Sequence, residues 1–269
     1  MKKFFAILLA ALMIATAALA FSSCKKDDDS GKKDAKKVIL GFDADYPPFG
    51  YLDEKTNTYV GFDIEYAQKV CEKLGYELEL KPIDWNSKDE MMKTGAINFI
   101  WNGFTYEGRE NDYEWTDRYL NNSIVVLTAE NSGINTLADL AGKAVVVQSD
   151  SSGESALKEK PELVATFKNG KYSTEAAYTT AFEKLKTGAV DAIAVDVGVA
   201  NYLIANNAGF KVLSETISTE TYGVGFLKGN TALRDEFNTA MNEIAKDTAF
   251  IKALCEKYGV DYNAFTLGK

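Results

Sequence analysis

Residues 90–97 read EMMKTGAI, and residues 183–190 read EKLKTGAV. In both stretches the end of a predicted helix runs into a glycine, which is the residue that most often closes a helix. An apolar run of the kind found in buried strands then begins. A helix, a glycine stop and a buried strand therefore occur twice, which predicts two similar lobes in one chain.

The same order of elements surrounds both copies. Around the first, the sequence predicts strands at 38–40, 76–80 and 97–101 and helices at 64–74 and 87–94, with Asp63 as an N-cap and Gly75 as a C-terminal stop. Around the second, it predicts strands at 144–148, 164–167 and 190–195, a helix from Ser152 and a helix at 174–187. Strands that alternate with helices predict mostly parallel sheets flanked by helices, hence an α/β fold.

The chain after Thr221 is too short for a third lobe. It offers one predicted strand at 222–227 and helices at 231–246 and 248–258. We expect this segment to complete the first lobe, so that lobe 1 comprises 38–122 plus 222–269 and lobe 2 comprises 123–221. The chain then crosses between the lobes twice, and paired crossings of this kind form a hinge.

The composition excludes several classes of protein. The 269 residues are 46% apolar and 26% charged, as in globular proteins, and the net charge of −9 argues against a nucleic-acid partner. There is no histidine, which excludes Ser-His-Asp and Cys-His catalysis, and the three cysteines form no C-x-x-C pair. We therefore expect neither a metal nor a cofactor, and a monomer without enzymatic activity.

The N-terminus has the pattern of an export signal. Lys2 and Lys3 precede an apolar run over 4–21, and Ser22 and Ser23 follow it. Residues 21–24 (FSSC) resemble a bacterial lipobox, so residues 1–23 are predicted to be removed and Cys24 to be lipidated, which anchors the protein to the membrane. The alternatives are an uncleaved anchor and a cut after Ala20. Residues 24–37 contain too little apolar surface to fold and are predicted to be a disordered, charged tether.

Polar residues follow the predicted strands where ligands bind in parallel α/β sheets, beyond the carboxyl ends of the strands. The segments concerned are 43–49, 102–109, 149–153 and Asp196. Arg109 can hold a carboxylate through two parallel hydrogen bonds, or it can pair with a neighbouring glutamate at 107 or 110. Asp196 ends an apolar strand and can accept an ammonium group, or it can cap the next helix.

The helix that begins near Ser152 has two interpretations. Its free backbone N–H groups favour an anion, whereas Ser151 with Glu154 fits an ordinary capping box. The aromatic residues Tyr46, Phe49 and Trp85 are candidates for the walls of a pocket, but single aromatics are more often part of a core.

Several stretches of the sequence resemble those of a known protein family. The chain resembles the polar amino-acid solute-binding proteins of ABC importers through the following stretches: 38–49 (VILGFDADYPPF), 60–64 (VGFDI), 83–85 (IDW), 101–105 (WNGFT) with Arg109, 115–119 (WTDRY), 137–143 (LADLAGK), 147–149 (VQS), 190–192 (VDA) and 219–223 (TETYG). The resemblance covers residues 38–260. It implies a two-lobed type II periplasmic-binding-protein fold joined by a two-strand hinge.

The resemblance also implies roles for individual residues. Arg109, Thr105 and Ser152 would hold a ligand α-carboxylate, and Asp196 and the Gly103 carbonyl would hold its α-ammonium group. The side-chain pocket would comprise Asp43, Tyr46, Phe49, Trp85 and Asn102. Phe104, Ser149 and Ser151, from the same segments, complete the predicted site.

Two positions depart from the family pattern. The stretch from Thr105 to Arg109 is one residue shorter than usual, which affects the register of Arg109. Arg118 stands where proline is usual and offers a second guanidinium group.

The expected function is the capture of a free L-amino acid between the lobes and its delivery to the permease of an ABC importer. An enzyme similar to cyclohexadienyl dehydratase is an alternative on the same fold. An extracellular sensor module is another, and it would need a transmembrane helix and a signalling domain after Lys269.

Overall fold

The computed structural model describes residues 35–269. The predicted signal segment 1–23, the lipidation site Cys24 and most of the predicted tether therefore lie outside the described residues. Lys37 was predicted to end the tether, but it is the first residue of the first strand.

Thirteen strands are present within residues 35–269. They are β1 (Lys37–Phe42), β2 (Asp45–Tyr46), β3 (Gly50–Asp53), β4 (Thr58–Val60), β5 (Glu77–Pro82), β6 (Phe99–Ile100), β7 (Tyr113–Trp115), β8 (Leu120–Ala129), β9 (Val145–Gln148), β10 (Ser173–Glu175), β11 (Ala192–Asp196), β12 (Phe210–Tyr222) and β13 (Gly225–Leu227).

The same part of the chain forms eight α-helices. They are α1 (Phe62–Leu74), α2 (Lys88–Lys93), α3 (Ser152–Lys158), α4 (Pro161–Thr166), α5 (Tyr178–Lys186), α6 (Val197–Asn206), α7 (Thr231–Ile244) and α8 (Thr248–Tyr258). Among the residues described, no helix is both long enough and apolar enough to span a bilayer.

Two five-stranded sheets form the centres of two lobes, which confirms the predicted fold class. The first has the order β5-β1-β6-β13-β7, and the second has the order β10-β9-β11-β8-β12. In each sheet three neighbouring strands are parallel, as β1 is to β5 and β6, and as β9 is to β10 and β11. A small antiparallel sheet, β2-β3-β4, follows β1.

Burial explains why the central strands are apolar on both faces. Val145, Val146 and Val147 in β9 are all buried, as are residues 192–195 of β11, because helices cover both sides of a parallel sheet. In the first lobe, α1 packs on α7 and α8, and the hydroxyl group of Tyr66 donates to the carbonyl of Met241 across that interface at 2.9 Å.

Two long antiparallel strands connect the lobes. β8 follows β7 of the first sheet, and β12 precedes β13 of the first sheet, while both strands belong to the second sheet. Their register places Asn122 opposite Glu220 and Ser123 opposite Thr219. The crossings predicted near Asn122–Ser123 and near Glu220–Thr221 fall within β8 and β12.

Asp63 is not an N-cap, contrary to the sequence prediction. The cap of α1 is Gly61, with a φ of 144°, and a Cβ at this position would lie 2.1 Å from the carbonyl oxygen of Phe49. The helix therefore begins before Asp63, whose side chain is buried and accepts from the Gly103 N–H at 2.5 Å.

The strand predicted at 164–167 is also wrong. Pro161 begins helix α4 there, which agrees with the preference of proline for the first turn of a helix. The strand beside β9 is instead β10, a short polar strand at the edge of the sheet. The helix predicted from residue 174 consequently begins only at Tyr178.

The repeated glycine stops are present in both lobes. Gly95 and Gly188 have φ angles of 73° and 72°, and their N–H groups donate to the carbonyls of Met92 and Leu185. The preceding threonine hydroxyls, of Thr94 and Thr187, each donate to a carbonyl four residues earlier.

We expect Gly188→Ala to lower the free energy of unfolding by about 1 kcal/mol, because the left-handed conformation is strained for a residue that has a Cβ atom. No atom lies within 4 Å of the added Cβ, so steric clash contributes nothing. Chemical denaturation measures the change. Gly188→Asn is the control and should lose less, since asparagine tolerates this conformation. Equal stability of wild type and Gly188→Ala would contradict this account.

Candidate ligand-binding site

Most of the predicted site residues meet in one cavity between the lobes. The cavity has a volume of about 20 Å³. Ten of the predicted residues line it: Asp43, Tyr46, Trp85, Asn102, Gly103, Thr105, Arg109, Ser151, Ser152 and Asp196. They come from the segments that follow β1, β5, β6 and β9 and from the end of β11, because parallel strands direct their carboxyl ends to one edge.

A wider cavity of about 310 Å³ adjoins the first and shares Thr105, Arg109 and Ser152 with it. Its lining includes Lys88, Asp150 and Glu220. The three shared residues therefore lie at the junction of the two cavities.

The lobes contact each other directly around the smaller cavity. Gln148 of lobe 2 donates from Nε2 to Oδ2 of Asp43 in lobe 1 at 2.6 Å. Trp85 of lobe 1 donates from Nε1 to the carbonyl of Asp150 at 3.2 Å, and Lys88 forms an ion pair with the carboxylate of Asp150. The described conformation is thus one in which the two walls of the site touch.

Asp43 is held by hydrogen bonds from both lobes. Its backbone N–H donates to Oδ1 of Asn102 at 2.8 Å, and its own Oδ1 accepts from the Asp45 N–H at 2.8 Å. Burial raises the pKa of Asp43 to about 6, although the donors from Asp45 and Gln148 act in the opposite direction. Asp43 is therefore a carboxyl group whose charge changes close to neutral pH.

Asn102 contributes a donor that is not satisfied by the protein. Its Nδ2 is buried and has no hydrogen-bond acceptor within residues 35–269. Because leaving a buried donor unpaired costs about 1–3 kcal/mol, a ligand with an acceptor at this position gains affinity.

Arg109 reaches the cavity, and the alternative of a pairing with a nearby glutamate is not what the structure contains. Its guanidinium group donates to the carbonyls of Thr105 and Asp150 at 3.3 and 3.4 Å and lies over the ring of Phe104. Glu107 instead accepts from Thr221, and Glu110 accepts from the Gly108 N–H. These long contacts leave the guanidinium group with donors for a carboxylate.

Arg118, the second guanidinium group, does not line the cavity. It lies over the ring of Tyr106, with 4.2 Å from its central carbon to the ring centroid. The shorter stretch before Arg109 therefore does not move Arg109 out of the site.

Ser151 caps helix α3, so this part of the capping interpretation is confirmed. Its Oγ accepts from the Glu154 N–H at 3.1 Å and donates to the Gln148 carbonyl at 2.8 Å. The hydroxyl group of Ser152, one residue later, donates to Oε1 of Glu220 at 3.2 Å.

Asp196 is fully buried at the end of β11 and makes no capping hydrogen bond to α6. Its Oδ1 accepts from the hydroxyl group of Tyr222 at 2.6 Å and from Nδ2 of Asn122 at 2.7 Å. Burial raises the pKa of Asp196, and the hydrogen bonds that it accepts act against this rise.

Three predicted residues do not line the cavity. Phe49 is buried and packs edge-on against the ring of Tyr222, at 5.4 Å between centroids. Phe104 packs against Trp85 at 5.5 Å and supports it. Ser149 donates to the side chain of Asn86 at 3.1 Å. In this conformation these side chains hold the walls of the site in place.

Sequence reasoning missed two polar residues of this region. Gln148 lines the cavity and bridges the lobes, and its place as the last residue of an apolar strand was a usable signal. Glu220 accepts hydrogen bonds from three side chains, and its place in the stretch 219–223, which carries the family resemblance, was the signal that could have found it.

Comparisons with known proteins identify a family and similar chains. The model of the bacterial extracellular solute-binding proteins, family 3, matches residues 38–261. The arginine-binding extracellular protein ArtP of Bacillus subtilis is 30% identical over 263 residues, which cover 96% of this chain and 98% of the relative.

Two solved structures extend the likeness to three dimensions. A substrate-binding protein of an ABC uptake transporter from Streptococcus pneumoniae with bound histidine has a TM-score of 0.80 and 29% identity, and the match covers 87% of this chain and 95% of that one. An ancestral arginine-binding protein bound to arginine has a TM-score of 0.75 and 34% identity, over 82% and 97% of the two chains.

Proposed function

The chain belongs to family 3 of the bacterial extracellular solute-binding proteins, and from that premise we propose that it captures a free L-amino acid between its lobes and delivers it to the permease of an ABC importer. The relatives described above are named for arginine binding or hold histidine or arginine. They are binding proteins, which supports a role in binding rather than in catalysis.

One observation carries the proposal: groups of opposite charge from the two lobes line one small cavity. Arg109 of lobe 1 and Asp196 of lobe 2 both reach it, together with the hydroxyl groups of Thr105 and Ser152. A zwitterion needs an anion site and a cation site at a short separation, and a guanidinium group with a carboxylate provides them.

Asp43 supports a ligand with a cationic side chain. The family resemblance assigns Asp43 to the side-chain pocket, and within the cavity it is an acidic group additional to Asp196. Trp85 also lines this cavity, and an aromatic ring attracts a guanidinium or ammonium group. We therefore propose arginine, lysine or ornithine as the preferred ligand class.

The contacts between the lobes support hinge closure over the ligand. They include polar contacts, such as that of Gln148 with Asp43, and aromatic contacts, such as that of Tyr51 with Tyr202, and the lobes are joined by the paired strands β8 and β12. A rotation about these strands would separate the walls without unfolding either sheet. The proposed boundaries of the moving bodies are 38–122 with 222–269, and 123–221.

An extracytoplasmic location follows from the family. We propose in addition that Cys24 is lipidated and anchors the protein, that residues 24–37 act as the tether, and that the protein works as a monomer.

We expect one amino acid of the basic class to raise the melting temperature of residues 35–269 in a screen of free amino acids. At 100 times its dissociation constant a ligand stabilises the folded state by ~2.7 kcal/mol. Calorimetry then gives the affinity. The absence of heat with all twenty amino acids, ornithine and cystine would overturn the proposed function.

Arg109→Ala should weaken binding of that ligand by about 2–5 kcal/mol, because the ligand carboxylate loses its charged partner in a buried site. Arg109→Lys should recover only part of the loss, since an ammonium group cannot form the two parallel hydrogen bonds. Calorimetry measures both. The matched control is Arg118→Ala, which removes a guanidinium group outside the cavity and should bind as wild type does. A weak effect at 109 together with a strong one at 118 would assign the anchor to Arg118.

The affinity for arginine should rise about tenfold between about pH 5 and about pH 7, because ionised Asp43 attracts the ligand's guanidinium group. The sign follows from the pKa of about 6 for Asp43, which is neutral below this value and charged above it. Asp43→Asn should remove most of this pH dependence and bind arginine weakly throughout. Should Asp43→Asn keep the wild-type profile, Asp43 does not face the ligand's side chain.

A further inference from the structure

Two buried carboxyl groups, those of Asp196 and Glu220, accept hydrogen bonds from the same side-chain amide, that of Asn122. They meet where three strands of the second sheet lie side by side. In the order β11-β8-β12, Asp196 pairs with Ile124, and Asn122 pairs with Glu220. Nδ2 of Asn122 donates to Oδ1 of Asp196 at 2.7 Å and to Oε1 of Glu220 at 2.8 Å. The two carboxyl groups are thus close neighbours, and both are more than nine-tenths buried.

This arrangement cannot carry two full charges at neutral pH without a large energetic cost. Within residues 35–269 neither carboxyl group forms an ion pair with a lysine or arginine. Burial and the charge of Asp196 raise the pKa of Glu220 to about 8. Two buried carboxyl groups this close together therefore retain one proton between them.

The hydrogen bonds indicate which member is ionised. Asp196 accepts the shorter bonds, from Tyr222 at 2.6 Å and from Asn122 at 2.7 Å, whereas Glu220 accepts from Thr105 at 2.9 Å and from Ser152 at 3.2 Å. Hydrogen bonds to an ionised acceptor are the shorter ones. Each carboxyl group also acts on the pKa of the other: Glu220 lowers the pKa of Asp196, whereas Asp196 raises that of Glu220.

We propose that Glu220 is a positioning residue of the ligand site: it holds a proton at neutral pH and donates it to Asp196, which alone carries the negative charge offered to a ligand's ammonium group. The proposal rests on the proposed function for the identity of the ligand. It assigns to Glu220 a role that depends on the neutral form of the side chain.

The consequence for binding follows from the other contacts of Glu220. Its Oε1 accepts from the hydroxyl groups of Thr105 and Ser152, which the family resemblance assigns to the ligand's carboxylate. When Glu220 ionises, a negative charge stands beside that carboxylate and holds both hydroxyl groups. Binding should therefore weaken as the pH rises through about 8.

Other charged and titratable groups of the site surround this pair. Three tyrosines, at 46, 178 and 222, have pKa values well above their ordinary value because of burial, and Arg109 lines the adjoining cavity. Asp43 and Asp63 have pKa values of about 6 and about 7. Glu107 is exposed and binds Thr221, next to Glu220 in the chain.

The first experiment compares dissociation constants of wild type and Glu220→Gln near pH 7 and near pH 9. Glutamine imitates the protonated carboxyl group, so the two proteins should agree within about threefold near pH 7. The ratio of wild-type to variant dissociation constants should rise about tenfold near pH 9. The titration of the ligand's own amino group and that of Asp63 affect both proteins alike, so they do not change this ratio of dissociation constants.

Glu215→Gln is the matched control. Glu215 is an exposed glutamate of the same strand, and its replacement should leave the wild-type pH profile unchanged. The proposal is overturned if Glu220→Gln loses affinity near pH 7 as severely as Asp196→Asn does, because the charge of Glu220 would then be required. A constant ratio between pH 7 and pH 9 would also overturn it.

The second experiment needs no ligand and separates this inference from the proposed function. Carbon-13 NMR of the glutamate carboxyl groups, assigned through their own backbone atoms, should show the Glu220 signal titrating near pH 8. A Glu220 signal that titrates near the ordinary glutamate pKa would contradict the inference, even if the protein binds an amino acid. A signal near pH 8 supports it even if the amino-acid screen is negative.

Discussion

The pairing of β8 with β12 is the constraint on which the rest of the structure depends. These strands carry the chain out of the first sheet and back into it, and their register sets Asn122 opposite Glu220. Because β11 pairs with the other edge of β8, the same register brings Asp196 beside them. One ladder of backbone hydrogen bonds thus joins the lobes, supplies the hinge and places the acidic centre of the site at that hinge.

Desolvation decides the chemistry of the cleft. Asp43, Asp196 and Glu220 are all buried, and in each the loss of water is the largest cause of a raised pKa. Within residues 35–269 the side chains that donate to these carboxyl groups are neutral, among them Asn122, Gln148 and Tyr222. Neutral donors do not balance the negative charge of the carboxylates. The site therefore favours a positively charged group of the ligand, such as an ammonium or guanidinium group.

The sequence predictions succeeded where local chemistry decides the conformation. The glycine stops at 95 and 188, the cap at Ser151 and the buried strands before Gln148 and Asp196 all depend on residues within a few positions of one another. The failures have non-local causes. Asp63 turns inward and accepts hydrogen bonds from the Gly103 N–H and the Tyr119 hydroxyl group, which lie 40 and 56 positions away in the chain, and no local pattern reveals these contacts.

By itself the sequence determined the α/β class, the two similar lobes, the family and ten of the residues that line the cavity. The reason is that strand ends, glycine stops and loop motifs depend on residues that are neighbours in the chain. Only the tertiary structure decided that Gln148 binds Asp43 across the cleft and that Glu220 shares an amide with Asp196. These pairs lie 105 and 24 positions apart in the chain. Strand register and lobe packing bring them together, and both are properties of the whole fold rather than of any segment.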